Sequence, residues 1–430
     1  MGFVYSFNSN ETPELVQVGG KGMSLILMTR HGLPVPPGFV LSVDFFKPWF
    51  DHIKNTPEWQ RVINSAADEL KMHSAALKRL CAGLKLDEER RKAFVEALDT
   101  LEDGRKGLLL AVRSSSPEED LEGASFAGGY ETTLGVNRET IEDALRRSFA
   151  SCLDERVFVY KKEHGFPVDN PRIAVIMQVQ VPSETAGVAF SLNPINNCYD
   201  EAVINANFGL GESVVSGAAS PDTFIVDKVS GKILEKKAGR KETSVWLAPD
   251  GGTYEKPSSF RQDMCLKDGD VLSLVNMLMD VEKYYKKFVD IEWAFAGGKP
   301  YLLQARPITA YIPLHEEMQT APGRQKLLYL DTTLAKQGIH EPLSVMGADY
   351  LSMFEAKTGK AMTGKNLSGI VDGTGGFFQG RMYLNISNNI KLYGNLTSPW
   401  TTWTGQQPSH PLTSGHWLPG IRSSLKSLPM

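Results

Sequence analysis

The chain has 430 residues, 42% of them hydrophobic and 22% charged, with a formal net charge of -4. That length allows two or three domains, and the composition is that of an ordinary globular protein with a sizeable core. It gives no support to a basic nucleic-acid binder or an anionic-membrane binder, and no run of about 18 apolar residues marks a membrane span.

The N-terminal segment MGFVYSFNSNETPE lacks the basic-then-apolar order of a signal peptide, and the chain reads as cytoplasmic. Cys81, Cys152, Cys198 and Cys265 show no CxxC spacing, so they read as reduced structural residues, with neither a zinc site nor a disulfide framework.

Residues 1 to about 105 read as mostly α-helical. A Gly-rich turn, VQVGGKGMSL, precedes stretches rich in Leu, Ala, Lys and Glu whose apolar residues recur three or four apart. Lys21 sits between Gly20 and Gly22, ahead of a helical pattern over 23–31. This is not a Walker A motif, which needs a glycine four residues further back and Gly-Lys-Ser/Thr at its end. Alone it is a turn, although a lysine near a helix start can meet a phosphate as a point charge.

The stretch LLLAVRSSSPEEDLEGASFAGGYETTLGV (108–136) starts as a buried strand, reaches Arg113, and passes through hydroxyls, acids and the glycines Gly123, Gly128 and Gly129. Glycines let backbone N–H groups approach an anion closely, but taken alone the stretch also reads as a flexible surface loop. NRETIEDALRRSFASCLDERVFVYKKEHG then gives one long amphipathic helix capped at Asn137 or Thr140.

After that the period changes. RIAVIMQVQV, AGVAFSLNP, EAVINANFGLG and DTFIVDK are β-branched and aromatic runs separated by Pro, Gly and Asn, so a sheet-rich lobe follows a helix-rich lobe. The glycines of NFGLGESVVSG are misspaced for a dinucleotide fingerprint, which argues against a nicotinamide or flavin site.

Residues 266–288 form a helical pattern, and VDIEWAFAGGKPYLLQARPI reads as two strands joined at Gly-Gly. Side chains two apart on a strand share a face, so Asp290 lies with Glu292, and Gln304 with Arg306. A two-residue loop would pair Glu292 with Leu303 and put the polar pairs on opposite faces. A three-residue loop would set Glu292 across from Gln304 and Asp290 across from Arg306. The second register gathers two carboxylates, an amide and a guanidinium, a composition suited to holding Mg²⁺ against a polyphosphate. The alternative is a pair of exposed cross-strand salt bridges, each worth about 1 kcal/mol or less.

Residues 313–325 read as a linker, and beyond it the signal weakens. No acidic residue follows Asp372, and the tail is rich in Ser, Thr, Pro and Trp without periodicity. The eight histidines form no metal-ligand spacing, and no Ser-His-Asp order or GxSxG elbow occurs.

Taken in order, GGKGMSLILMTRHGLPVPPGFVLS (19–42), AVRSSSPEEDLEGASFAGGYETTLGV (111–136), VIMQVQVPSETAGVAFSLNP (175–194), INANFGLGESVVSGAASPDTFIVDK (204–228) and DIEWAFAGGKPYLLQARPIT (290–309) resemble the nucleotide-binding domain of the phosphoenolpyruvate synthase, pyruvate phosphate dikinase and rifampicin phosphotransferase family. The resemblance implies an α+β ATP-grasp fold, with lobes over 1–185 and 186–312 and ATP between them. It implies that Lys21, Arg113 and Arg306 bind phosphates and act in catalysis, and that Gly128 and Thr132 belong to a loop closing over them. The backbone of the hinge that Gln178 begins would hold adenine, Glu292 would coordinate Mg²⁺ with Asp290, and Gln304 would contact the metal and its phosphates.

Residues 326–430 resemble more weakly the substrate domain of the rifampicin branch, through HEPLSVMGADYL and GRMYLNISN, and read as a partial domain with an irregular tail. Family members pass phosphate from ATP to a histidine on a swivelling domain and then to a small-molecule acceptor. The glycine-rich segment around that histidine has no match here, so His410 and His416 receive no role. The tail reads as a truncated or alternatively spliced end, and the swivel domain is expected in trans or missing. The implied activity is an ATP- and Mg²⁺-dependent phosphotransferase, with a nucleotide-binding regulator or remnant and an ATP-grasp ligase as alternatives.

Overall fold

The computed structural model describes residues 2–393, apart from 67, 106, 118–130, 258–261, 310, 312–313, 333–340, 365–368, 370 and 379. The first lobe is built on five antiparallel strands, lying side by side as Val4–Ser6, Gly38–Leu41, Ala174–Val179, Leu110–Ser115 and Thr132–Val136. All six residues of Leu110–Ser115 are buried, because both faces of the sheet are covered. Phe46, Trp49, Phe149 and their neighbours fill one side against Val112 and Met177. The helix Leu15–Arg30 covers the other, with Val18, Leu25 and Ile26 packed on Val40, Ala174 and Ile176.

The helices expected before residue 105 are present as Leu15–Arg30, Lys47–Lys54, Pro57–Asn64, Leu70–Cys81 and Glu88–Glu102, but two short strands of the sheet lie among them. Gly38–Leu41 is buried at every position, so it carries no alternating pattern by which to recognise it. The single helix expected from 137 onward is two, Ile141–Ser151 and Glu155–Glu163. The break is made by Asp154, whose side chain accepts from the backbone N–H of Arg156 at 3.3 Å and so starts a new helix. Thr140 holds the first helix's cap position without a side-chain cap bond, while Asn137 Oδ1 accepts from the N–H groups of Glu139 at 3.1 Å and Thr140 at 3.0 Å.

The second lobe is a six-stranded antiparallel sheet in the order Lys299–Pro307, Val289–Ala296, Thr185–Phe190, Glu201–Phe208, Asp222–Asp227 and Lys232–Lys237. The helix Asp268–Tyr285 presents Val271, Leu274, Val275, Leu278 and Val281, a stripe at helical spacing, to Phe224, Ile291 and Trp293. Asp222 and Lys241 form an ion pair with both side chains fully buried, and Asp222 also accepts from the N–H groups of Gly239 and Cys265, each at 2.8 Å. The chain passes between the sheets through 180–184. Two α+β lobes of this kind are the arrangement expected of an ATP-grasp fold.

The stretch leading to the third unit is docked on the second lobe. Lys326 pairs with Asp200 at 2.7 Å with both side chains buried, and Gly323 donates to Asp200 at 2.8 Å. Beyond it, Tyr329–Asp331, Arg381–Asn385 and Gly375–Phe378 form a three-stranded sheet. Among the described residues no helix is long and apolar enough to cross a membrane.

Candidate functional site

The site begins with the hairpin Val289–Ala296 and Lys299–Pro307. Gly297 and Gly298 both have positive φ, 57° and 70°, as a type I′ turn requires, and Ala296 pairs with Lys299, so the loop has two residues. Yet Glu292 faces Gln304 and Asp290 faces Arg306, the register expected of a three-residue loop. A bulge reconciles the two. Trp293 pairs with Leu302 and Glu292 with Gln304, which leaves Leu303 over and moves every later residue to the other face.

The four polar side chains therefore share one surface of the second sheet. Arg306 Nε donates to both oxygens of Asp290 at 2.9 Å. Arg113 reaches this surface from the first sheet. Its Nη2 donates to Glu292 Oε2 at 2.9 Å and to Gln304 Oε1 at 2.6 Å, and its Nη1 donates to the carbonyl of Leu303 at 2.7 Å. Arg113 is 8% exposed and the Glu292 side chain 28%, so the cation is enclosed while the carboxylate opens to solvent.

Thr132 pairs directly with Arg113, and Gln178 pairs with Ala111, two residues before Arg113. Residues opposite one another, or two apart on a strand, share a face. Thr132, Gln178 and Arg113 thus stand on the side of the first sheet that meets the hairpin. Thr132 is exposed, whereas the Gln178 side chain is buried and donates to the carbonyl of Pro36 at 3.3 Å, leaving its backbone in the strand that leads to the crossover.

Lys21 lies inside Leu15–Arg30, just past a break in the helix at Gly19, whose φ of 71° and ψ of 170° are not helical. It therefore occupies the first turn of a second helical segment. That segment is bound to the hairpin, because Ser24 Oγ donates to the carbonyl of Ala305 at 2.9 Å and accepts from the hydroxyl of Tyr285 at 2.8 Å. Gly128 lies outside the described residues. The carbonyl of Leu303 and the hydroxyl of Ser24 were invisible to spacing arguments, since a bulge and a buried serine leave no local signature.

Two cations, Arg113 and Arg306, and two carboxylates, Asp290 and Glu292, are brought together by these elements, and the helix that bears Lys21 is tied to the same hairpin through Ser24. Mg²⁺ in phosphate sites takes one or two protein oxygens and completes its shell with phosphate and water. Glu292 and Gln304 supply oxygens of that kind, and both accept from Arg113 Nη2. Asp290 would have to surrender its pair with Arg306 to join them. Among the described residues no group of three His, Cys, Asp or Glu could hold a metal by itself. Cavities of about 440 Å³ beside His315 and Phe378, and about 430 Å³ beside Asn8 and Arg30, lie away from this cluster.

A family model described as pyruvate phosphate dikinase, AMP/ATP-binding domain, matches residues 15–325. The probable phosphoenolpyruvate synthase of Methanocaldococcus jannaschii is 37% identical over 300 residues, covering 68% of this chain and 25% of its own length. The probable phosphoenolpyruvate synthase of Methanothermobacter thermautotrophicus is 32% identical over 383 residues, with 83% and 54% covered. An uncharacterized phosphotransferase of Bacillus subtilis is 34% identical over 339 residues, with 77% and 38% covered. The chain thus spans between 25% and 54% of the length of these relatives. A D-alanine–D-alanine ligase from Helicobacter pylori aligns with 55% of this chain and 53% of its own at 11% identity and a TM-score of 0.24, too slight a likeness to bear on the fold. The matched residues contain the whole second sheet, every strand of the first except Val4–Ser6, the crossover and every member of the arginine-carboxylate cluster, and the chain belongs to the pyruvate phosphate dikinase AMP/ATP-binding domain family.

Proposed function

We propose that the chain is the ATP- and Mg²⁺-binding phosphotransferase module of a dikinase-type enzyme acting in the cytoplasm. It grips ATP between its lobes and presents a phosphoryl group to a histidine on a separate swivelling domain. Onward transfer is to a small acceptor, pyruvate or a rifamycin-like hydroxyl compound. The observation that carries this reading is the meeting of Arg113, from one sheet, with Glu292 and Gln304 of the other. One guanidinium there bridges the two walls between which a polyphosphate would lie.

In this reading the phosphates are held by Arg113, Lys21 and Arg306, with Thr132 beside Arg113 on the neighbouring strand. Adenine rests on the backbone of the segment that Gln178 begins. Arg113 already has its donors aligned by three fixed acceptors, so little reorganisation is needed when phosphate oxygens replace some of them. Enclosure of the guanidinium excludes water and strengthens its attraction for charge developing on the transferring group. Glu292 and Gln304 would hold Mg²⁺, which supplies neutralisation of the phosphate oxygens. Arg306, half-exposed at 49%, would take a phosphate oxygen at the open rim.

The test is incubation of the chain with labelled MgATP and a separately prepared swivel domain from a family relative. Acid-labile, base-stable label on that domain's histidine is the expected result. MgATP binding with no transfer would leave a nucleotide-binding regulator, and ADP release that depends on a carboxylic acid and an amine would instead make the chain a ligase.

A further inference from the structure

Helices leave their first N–H groups without intrahelical partners, and an N-cap serine, threonine, aspartate or asparagine normally satisfies one of them. The segment that carries Lys21 begins past Gly19, which has no side chain to do this. Instead Ser115 Oγ, from the neighbouring strand, accepts from the N–H of Gly22 at 3.0 Å and donates to the carbonyl of Val18 at 2.7 Å. Ser115 is fully buried, and both its bonds span the break in the helix.

We infer that Ser115 is a positioning residue for the nucleotide site, capping from a neighbouring strand the helix start that carries Lys21. This rests on the reading of Lys21 and Arg113 as phosphate ligands. The geometry leaves no room for an ordinary cap. A Cβ at Gly19 would lie 2.4 Å from Ser115 Oγ and 2.5 Å from the Ser115 carbonyl oxygen, and φ there is +71°. Glycine at 19 and a hydroxyl at 115 are therefore one device in two parts. Ser115 lies two residues beyond Arg113 on one strand, so the two side chains share a face. A single buried hydroxyl thereby sets the separation between the helix start bearing Lys21 and the guanidinium of Arg113.

A double-mutant cycle tests this, with MgATP titrated into wild type, S115A, K21A and S115A/K21A, and R113A as a reference. S115A should bind about tenfold more weakly than wild type, the loss expected for one hydrogen bond that orients a charged ligand group. S115A/K21A should be no weaker than K21A within about twofold, because Ser115 acts through Lys21. S115C keeps the volume and a weak hydrogen-bonding capacity, so its affinity should fall between those of wild type and S115A. A stability loss in S115A with unchanged MgATP affinity would overturn the inference, and so would a binding loss that adds in full to that of K21A. Should S115A not fold, the same cycle run with S115C decides by the same criterion. Wild type that binds, R113A that does not, and S115A equal to wild type would remove the Ser115 assignment alone. Wild type that binds no MgATP would remove the nucleotide reading, and this inference with it.

Discussion

The carbonyl of Leu303 accepts from Arg113 Nη1 at 2.7 Å, across the gap between the two sheets. Leu303 is the bulged residue of its strand, so the interruption in the ladder is also a handle for the arginine. Bulges re-aim side chains next to functional sites, and this one brings Glu292 and Gln304 onto the face that Arg113 meets.

Arg113→Lys should show how much of this depends on the planar fork. A lysine can replace the charge but cannot serve Leu303, Glu292 and Gln304 with the same fixed geometry. MgATP affinity should fall at least about tenfold, and urea unfolding should show a loss of about 1 to 3 kcal/mol from acceptors left unsatisfied. An unchanged titration curve would separate Arg113 from nucleotide binding.

Asp222 and Lys241 offer a test of the fold that is remote from the chemistry. Both side chains are fully buried, and Asp222 also holds the N–H groups of Gly239 and Cys265. Lys241→Met should destabilise the second lobe by about 3 to 5 kcal/mol, because a buried carboxylate would lose its counter-charge. Urea unfolding measures this, and a loss below about 1 kcal/mol would contradict the enclosed pair.

Asp154 predicts a pH dependence. Burial works against its charge, but hydrogen bonds from Lys78 and from Arg156 outweigh that and hold its carboxyl below the ordinary value of 3.8. A carboxyl depressed by folding contributes stability above its unfolded pKa and loses it as pH falls through the folded one. Asp154→Asn should therefore lower the urea midpoint at neutral pH, with the gap to wild type closing below pH 3.8. A gap that stays constant down to about pH 2 would show that Asp154 acts without its charge.

The cysteines should be inert thiols. Cys81 and Cys198 are fully buried, and burial pushes both up to about 12. Thiolate is the reactive form, so a thiol reagent at pH 8 should react slowly with the native chain and with four groups per chain in urea without reductant. Fewer than four in urea would reveal a disulfide.

Much of this architecture was legible before the structure, and for physical reasons. The Gly297-Gly298 turn announced its hairpin because a type I′ turn needs positive φ at both positions. The helix Asp268–Tyr285 showed its buried stripe because it packs on one side only. The bulge at Leu303 was not legible, since its only trace is a register that the turn length contradicts. Spacing therefore offered two faces for Glu292 and no means of choosing between them. Asp154 was absorbed into one long helical pattern because its neighbours keep helical periodicity on both sides of the break. Gly38–Leu41, buried on both faces, had no alternation to read. Nor could the sequence show that Arg113 would find its partners about 180 residues away, because long-range pairing leaves no local mark.

Titration calorimetry of ATP, with and without Mg²⁺, on wild type, Arg113→Ala and Glu292→Ala tests the central claim most directly. The account predicts metal-dependent binding by wild type, abolished in Arg113→Ala and stripped of its metal dependence in Glu292→Ala. Equal binding by all three, or none by the folded wild type, would contradict it.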